Sequence, residues 1–352
     1  MPKRTGFLFE KVVSVDNCVA AVVEMTKGKG DNKRAIRMRK EAQRYGEAVS
    51  ETLMNGTWKP SPYKEHTIKE GVLKKERNIK VPRLIDQIVH HAVMRVTVPH
   101  IERRNYYYNC GSIPGAGQKR ATDAVVKWMS REKGNKYCAL FDVRKFYDSC
   151  PDWAVVGALR KIFKDERFLE LHEKILMSMG DGLAIGFYPS QWYANLVLGS
   201  VDTEIKQKIN PDCRYVRYMD DMCLLSDNKR NLHKTRKLVS SCLGSLGLEM
   251  KGNHRIFRVG NGFVPFLSYK FYHGYTLLKK PLMYRIAAKA KVFSRNKNPH
   301  NAKSMASYLG LIKHCDGRKF LETKILPLVN IKKCRRIISD ESRNRRDAVK
   351  AV

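Results

Sequence analysis

Acidic residues are scarce in this 352-residue chain: 34 Asp+Glu stand against 68 Lys+Arg, a formal net charge of +34. Such an imbalance argues against an acid-rich binding surface and points to a polyanionic partner, with nucleic acid the first candidate. Long apolar runs are missing as well. None approaches the roughly 18 residues a membrane-spanning helix needs, and Met1-Pro2-Lys3-Arg4-Thr5-Gly6 lacks the apolar core of a signal peptide. No membrane association is therefore expected, and the cytoplasm is the expected compartment. The nine cysteines are scattered singly without C-x-x-C spacing, which excludes both a disulfide framework and a zinc ribbon and fits free thiols in a reducing environment. The ten histidines form no ligand motif, and His90-His91 reads as part of a helix face. There is no internal repeat, no long low-complexity linker and no Walker A spacing. A chain of this length can bury a sizeable core and divide into two or three subdomains.

What is present centres on Tyr218-Met219-Asp220-Asp221. Runs of β-branched, aromatic and apolar residues flank the two carboxylates, which predicts a β-hairpin with Asp-Asp at its tip. An isolated Asp-Asp is commonly just an exposed turn. Adjacent like charges repel, however, and their desolvation costs several kcal/mol unless something pairs with them. Hard Mg²⁺, which favours one or two carboxylates plus phosphate oxygens, is the natural partner. A second apolar run, Lys136 to Val143, carries a lone carboxylate, Asp142, near its end. An N-cap or salt bridge would satisfy it, or strand pairing would bring it beside Asp220 and Asp221 as a further metal ligand.

The remaining pattern is mixed. Helical spacing covers Val12 to Met25 and Ala35 to Met54, the first broken by Lys27-Gly28-Lys29-Gly30 and the second by Asn55-Gly56. Residues 64–83 alternate like half-exposed strands, and Arg77 and Arg83 lie on that stretch, where guanidiniums could grip a triphosphate. Helical spacing returns from Leu84 to Val98, and a Gly/Pro-rich loop, Asn109 to Lys119, precedes the next helix. Gly180 to Gln191 is a three-glycine loop, which allows close backbone approach to a ligand, and a helix follows from Ser190 to Lys208. An amphipathic helix, Asn231 to Leu246, follows the hairpin, then strands at His254–Val259, Phe263–Tyr272 and Tyr275–Lys279. From Pro281 onward the pattern is helical and basic, with 18 Lys+Arg against 5 Asp+Glu, which favours a phosphate-backbone grip.

Phe141-Asp142-Val143-Arg144-Lys145-Phe146-Tyr147 upstream of Tyr218-Met219-Asp220-Asp221, with a glycine loop between, resembles the palm of reverse transcriptases. Arg77-Asn78-Ile79-Lys80-Val81-Pro82 looks like the fingers motif, and Phe266-Leu267-Ser268-Tyr269 like the strand motif before the thumb. The resemblance covers nearly the whole chain. It implies an α+β right-hand polymerase: N-terminal helices and fingers over 1–135, a palm over 136–280 with finger-derived helices around 151–180, and a helical thumb with basic tail over 281–352. Ile185-Gly186-Phe187-Tyr188-Pro189-Ser190-Gln191 stands where most members have Gln-Gly-x-x-x-Ser-Pro. That form, like Gly6-Phe7-Leu8-Phe9-Glu10-Lys11, is similar to reverse transcriptases of diversity-generating retroelements. These make error-prone, adenine-mutagenic cDNA from a template-repeat RNA, for mutagenic retrohoming.

The resemblance further implies catalytic Asp142, Asp220 and Asp221. Two Mg²⁺ ions, with Mn²⁺ as substitute, would be held by Asp142, Val143 (through its carbonyl), Asp220 and Asp221. Nucleotide contacts fall on Arg77, Arg83, Tyr147, Ile185, Gly186 and Gln191, with Tyr147 as the steric gate against a ribose 2′-hydroxyl. His254, after Gly247-Leu248-Glu249-Met250, falls near a lysine that relatives use as general acid, and is the candidate for that role. Expected partners are template RNA, a cDNA or DNA primer, dNTPs and a small basic accessory protein. Two departures stand out: Asp86-Gln87 where many relatives have Asp-Arg, and Ser268 where Phe-Leu-Gly-Tyr is usual. The competing readings are a retron or group II intron enzyme, and a non-catalytic RNA-binding scaffold. An intron enzyme would carry a maturase region beyond the thumb, whereas about 70 residues follow Pro281.

Overall fold

The computed structural model describes residues 4–29, 32–70, 75–131, 133–208 and 213–350. Its N-terminal helices are α1 (Phe9–Val13), α2 (Val15–Thr26), α3 (Lys33–Lys40) and α4 (Ala42–Met54). Ser14 and Asn32 start α2 and α3 by accepting hydrogen bonds from the Asn17 and Ala35 amides, satisfying amides that a helix start leaves unpaired. The periodicity predicts one helix from Ala35 to Met54, but the chain breaks at Glu41 (φ −98°, ψ 22°). With α3 set apart, Arg39 donates to the Thr26 carbonyl at the end of α2, while Gly46 lets α4 approach α2 so closely that a Cβ there would lie 2.4 Å from Val19.

β1 (Lys64–Glu70) and β2 (Lys75–Val81) pair antiparallel and lead into α5 (Leu84–Glu102) and α6 (Gly117–Met129). Asp86, buried in the first turn of α5, accepts from Trp58 Nε1 and the Ser61 amide, both at 3.1 Å. It ties the chain entering β1 to the helix leaving β2, so here the carboxylate is structural. β3 (Tyr137–Phe141), α7 (Phe146–Ser149), α8 (Asp152–Arg160), α9 (Glu166–Met177) and α10 (Tyr188–Lys208) follow. Then come β4 (Arg214–Tyr218), β5 (Asp221–Ser226), α11 (Lys229–Gly244) and β6 (Arg255–Arg258). The central sheet has order β4-β5-β3-β6, all neighbours antiparallel.

A smaller antiparallel sheet contains β7 (Val264–Phe266), β8 (Tyr269–Phe271) and β9 (Thr276–Leu278). A single strand was expected over 263–272. Instead the chain reverses at Leu267-Ser268, with Leu267 at φ 49°, a left-handed conformation that sequence rarely signals when the residue is not glycine. Helices α12 (Lys280–Arg295), α13 (Pro299–Ile312), α14 (Arg318–Phe320), a π-turn at Leu321–Ile325 and α15 (Ile331–Lys350) complete the chain. All nine cysteines are free. No helix among the described residues is long and apolar enough to cross a membrane.

The central sheet separates two apolar cores. Alternate residues of a strand face opposite sides, and the strands divide accordingly: Ala139, Phe141, Met222 and Leu224 join the helices of the N-terminal half. Cys138, Cys223, Leu225 and Val216 join α6 and the C-terminal helices. Burial on both faces explains why β3 and β5 read as nearly unbroken apolar runs.

Two histidines lie within the first core. His172 Nε2 is 3.1 Å from Thr97 Oγ1, whose hydroxyl donates to the Val93 carbonyl, and His172 Nδ1 is 2.7 Å from Tyr193 Oη. Nε2 must therefore donate, and because burial keeps the ring neutral, Nδ1 accepts from the Tyr193 hydroxyl. His90 packs against Phe187 at 5.1 Å between ring centroids. Burial pushes both imidazoles down to about 3. The unfolded chain, with ordinary histidines, binds more protons below pH 6.5, so folding stability falls as pH drops from about 6.5 towards 3. At pH 5 the loss is roughly 2 kcal/mol per histidine. Urea unfolding at pH 7.5 and 5.0 should show that loss, and His172→Gln should shrink it by about half. An equal pH effect in that variant would mean the histidine is not responsible.

Candidate active site

The hairpin geometry follows from register. β4 and β5 pair from Arg214↔Leu225 to Tyr218↔Asp221, leaving Met219-Asp220 as a two-residue turn, with Met219 at φ 56°. β3 pairs with β5 at Phe141↔Met222, so the next residue, Asp142, falls beside Asp221. Desolvation and the Asp142 charge raise Asp220. Desolvation, then Asp220 and Asp142, push Asp221 up to about 6, even though its side chain opens onto a cleft; Lys279 and Lys251 pull the other way. Asp142 and Asp220 are half-buried and Asp221 is exposed; like charges placed this close repel, and a hard divalent cation would relieve that repulsion.

Lys251 had no place in the sequence reading. Its ammonium sits 2.8 Å from Asp142 Oδ2, and its amide donates to the Asp142 carbonyl at 2.8 Å. Arg144 N donates to the Glu249 carbonyl at 2.9 Å, and their side chains pair at 2.9 Å. These bonds flank a Val143↔Met250 bridge, so residues 249–251 brace the segment carrying Asp142. The only sequence signal was a lysine directly after Gly247-Leu248-Glu249-Met250. Among the described residues no three His, Cys, Asp or Glu side chains converge in ligating geometry; Asp142 turns one oxygen to Lys251 instead.

Tyr147 lies beside the carboxylates in α7. Burial first, then the Asp220 charge, raises its phenol, while Arg77 lowers it. Arg77, half-buried on β2 opposite Ile68, also acts on Asp220. Its strand is held by the glycine loop. Lys80 N donates to the Ile185 carbonyl at 2.8 Å, and Lys80 Nζ to the Met179 carbonyl at 2.6 Å. Gly186 (φ 110°) passes so near Lys80 that a Cβ would lie 2.3 Å from its carbonyl oxygen. At the other end of the loop, Leu183 N donates to the Tyr147 carbonyl at 2.7 Å, and a Cβ on Gly182 would lie 2.5 Å from that oxygen. The glycines thus bring β2, the loop and Tyr147 into backbone contact.

His254 lines a cleft of about 400 Å³ with Asp142, Asp221, Arg255, Leu267 and Lys279. Its ring lies 3.4 Å from both an Arg236 guanidinium nitrogen and the Lys251 carbonyl, so Lys251 stands between it and Asp142. Gln191 is exposed near the start of α10 and Arg83 at the head of α5. Neither forms a hydrogen bond or ion pair with the carboxylates among the described residues. The Gly/Pro-rich loop serves the hairpin from behind. Cys110 N donates to the Arg217 carbonyl and Arg217 N to the Tyr108 carbonyl, at 2.8 and 3.0 Å. Ser268 Oγ accepts from Gln118 Nε2 at 2.9 Å, a polar contact that glycine could not make.

The family described as "Reverse transcriptase (RNA-dependent DNA polymerase)" matches residues 67–254, more than half of the chain. No curated protein matches. Among solved structures the chain is similar to telomerase from Candida albicans in complex with a fragment of telomeric RNA. That match has 13% identity and TM-score 0.48, over 82% of this chain and 58% of that one. It is also similar to apo telomerase from Candida tropicalis, at 13% identity and TM-score 0.45, over 60% of this chain and 46% of that one. A form of the latter truncated from its C-terminal domain gives 13% identity and TM-score 0.45, over 67% and 59%. The chain thus spans about half to three fifths of the telomerase chains it matches.

Proposed function

Because the chain belongs to the reverse transcriptase (RNA-dependent DNA polymerase) family, we propose that it copies RNA into DNA at the Asp142–Asp220–Asp221 site, as the enzyme of a diversity-generating retroelement. The observation that carries the polymerase reading is the register of the central sheet, which sets Asp142 just past β3 beside Asp221 at the start of β5, with Asp220 in the hairpin turn before it. Asp142, Asp220, Asp221 and the Val143 carbonyl would hold two divalent ions, Mg²⁺ or Mn²⁺. When bound, these supply charge stabilisation to the attacking 3′-oxygen and to the departing pyrophosphate. Arg77, whose charge already reaches Asp220 and Tyr147, would bind the triphosphate, and exposed Arg83 would meet it or the template backbone. Lys251 holds a proton next to the site and replaces His254 as the better-placed donor to pyrophosphate. Residues 1–135, 136–280 and 281–352 take the roles of fingers, palm and thumb.

Tyr147 would exclude ribonucleotides by clash with the 2′-hydroxyl, a discrimination built on repulsion. Its backbone is pinned by Leu183 and Gly182, which ties the segment carrying the ring to the glycine loop. Ile185 carries the subfamily reading. Its carbonyl is committed to Lys80, and its half-exposed side chain offers no donor or acceptor to a nucleotide. Losing a hydrogen bond from the site weakens discrimination by roughly 1–3 kcal/mol, or about tenfold to a hundredfold in error. The adenine preference, the template-repeat RNA and a small basic accessory protein come with the subfamily.

The test is primed synthesis on a defined RNA template with Mg²⁺ and sequencing of the product, with and without a neighbouring accessory protein. Wild type should misincorporate mainly opposite template adenine, and Ile185→Gln should lower that error about tenfold or more. Accurate copying of adenines by wild type would move the reading to a retron-like polymerase.

A further inference from the structure

Arg217 is the largest of the fully buried side chains, with no exposed surface. A charge in that position needs compensation, and it receives more than a salt bridge requires. Nε and Nη2 donate to the two oxygens of Asp202, on α10, at 2.8 and 2.6 Å. Nη1 is then left to donate to Asn195 Oδ1 at 3.2 Å and to the Met219 carbonyl at 2.8 Å. Met219 is the first residue of the turn that presents Asp220, and it is held at φ 56°. Non-glycine residues rarely hold such a conformation unless their surroundings impose it.

The same turn is also crowded by Gly111. A Cβ on Gly111 would lie 2.3 Å from the Met219 amide nitrogen. The Gly111 carbonyl in turn accepts from Asn195 Nδ2 at 2.8 Å, and Asn195 Oδ1 accepts from Asn109 at 3.1 Å. Asn195 and Asp202 lie on one helix, α10, whose first residues continue directly from the loop of Ile185 and Gly186. The turn bearing Asp220 is therefore gripped by one rigid rod that begins at the proposed nucleotide pocket.

We propose that Arg217 is a positioning residue: through the Met219 carbonyl, with Gly111 behind, it sets the aim of Asp220 at the divalent ions. This rests on the polymerase reading of the carboxylates. The effect should appear in metal binding before it appears in nucleotide binding, because Arg217 touches the turn and not the nucleotide side of the site. Partners that orient a metal ligand typically matter about 10–100-fold in metal affinity or activity.

The experiment titrates the full chain with Mn²⁺, followed by electron paramagnetic resonance, beside thermal unfolding and single-nucleotide incorporation. Arg217→Lys keeps a cation for Asp202 but cannot make all of these bonds. It should weaken Mn²⁺ binding about tenfold and lower kcat by a similar factor, with KM for dNTP within about twofold. Val197→Ala opens a cavity in the same helix, at a fully buried side chain, and should lower stability while leaving Mn²⁺ affinity within about twofold. Gly111→Ala crowds Met219 without touching the ion pair. It should reproduce the metal defect, which keeps the idea testable should Arg217→Lys fail to fold. Wild-type Mn²⁺ affinity in folded Arg217→Lys or in Gly111→Ala, or an equal loss in Val197→Ala, overturns the proposal. Asp220→Asn serves as the separate check: unchanged Mn²⁺ binding in that variant would mean the metal site itself is misassigned.

Discussion

On the proposed reading, Asp220→Asn is expected to lower the rate of dNTP incorporation by at least about 10³-fold, since it removes a carboxylate that would hold the ions and forfeits several kcal/mol of transition-state stabilisation. Asn keeps the shape and one carbonyl oxygen but removes the charge. The same change should leave the metal-free protein as stable as wild type, or more so. Asp220 is raised above an ordinary carboxylate by desolvation and by Asp142, so its ionised form is disfavoured in the fold and an amide relieves that repulsion. Single-turnover primer extension and thermal unfolding in EDTA would be measured on the same preparation. Activity within tenfold of wild type would remove Asp220 from the chemistry. A sharp fall in stability would show that the turn, rather than the charge, had been damaged.

Asp202→Ala should lower stability strongly. Asp202 is 1% exposed and its partner Arg217 is 0% exposed; Tyr215 Oη also donates to Asp202, at 2.7 Å. Removing one partner of such a pair costs about 3–5 kcal/mol, because an uncompensated charge stays buried. Replacing the pair together, Asp202→Leu with Arg217→Met, should recover most of that loss. Urea denaturation of the single and double variants decides the matter. If the single variant loses less than about 1 kcal/mol, the guanidinium has found water or another partner.

The parts of this molecule written locally were the easiest to read. The β-branched, aromatic and apolar runs flanking Asp220-Asp221 gave the hairpin, and the apolar run ending at Asp142 gave β3; antiparallel register then placed the carboxylates together. The breaks at Gly180, Gly182 and Gly186 corresponded to real positive-φ positions. What escaped was non-local or chemically unmarked. Lys251 and Asp142 are 109 residues apart, and nothing in either local pattern links them. Nothing in the local pattern around Arg217 shows that Asp202 and Asn195, on α10, bury it. The Asn109–Gly111 stretch read as a loop, although it runs beside β4 as a parallel bridge, a pairing that leaves no periodicity. Leu267, in a left-handed conformation without glycine, hid the reversal between β7 and β8.

Sharing one sheet between two cores also limits how the protein can change over generations. Inserting or deleting a single residue in β3 or β5 would rotate every following side chain into the opposite core. Leu224 would trade places with Leu225 and Cys223, and Asp221 would leave its station beside Asp142. A change of two residues keeps the parity but moves the carboxylates along the strand by roughly 7 Å. Length variation is thereby driven out of the sheet and into the connections between the strands and helices. Those connections can lengthen at little cost, because loop closure grows only slowly with length. Lineages of this protein should therefore differ mainly where the chain turns, while the spacing within Tyr137–Phe141 and Asp221–Ser226 stays fixed.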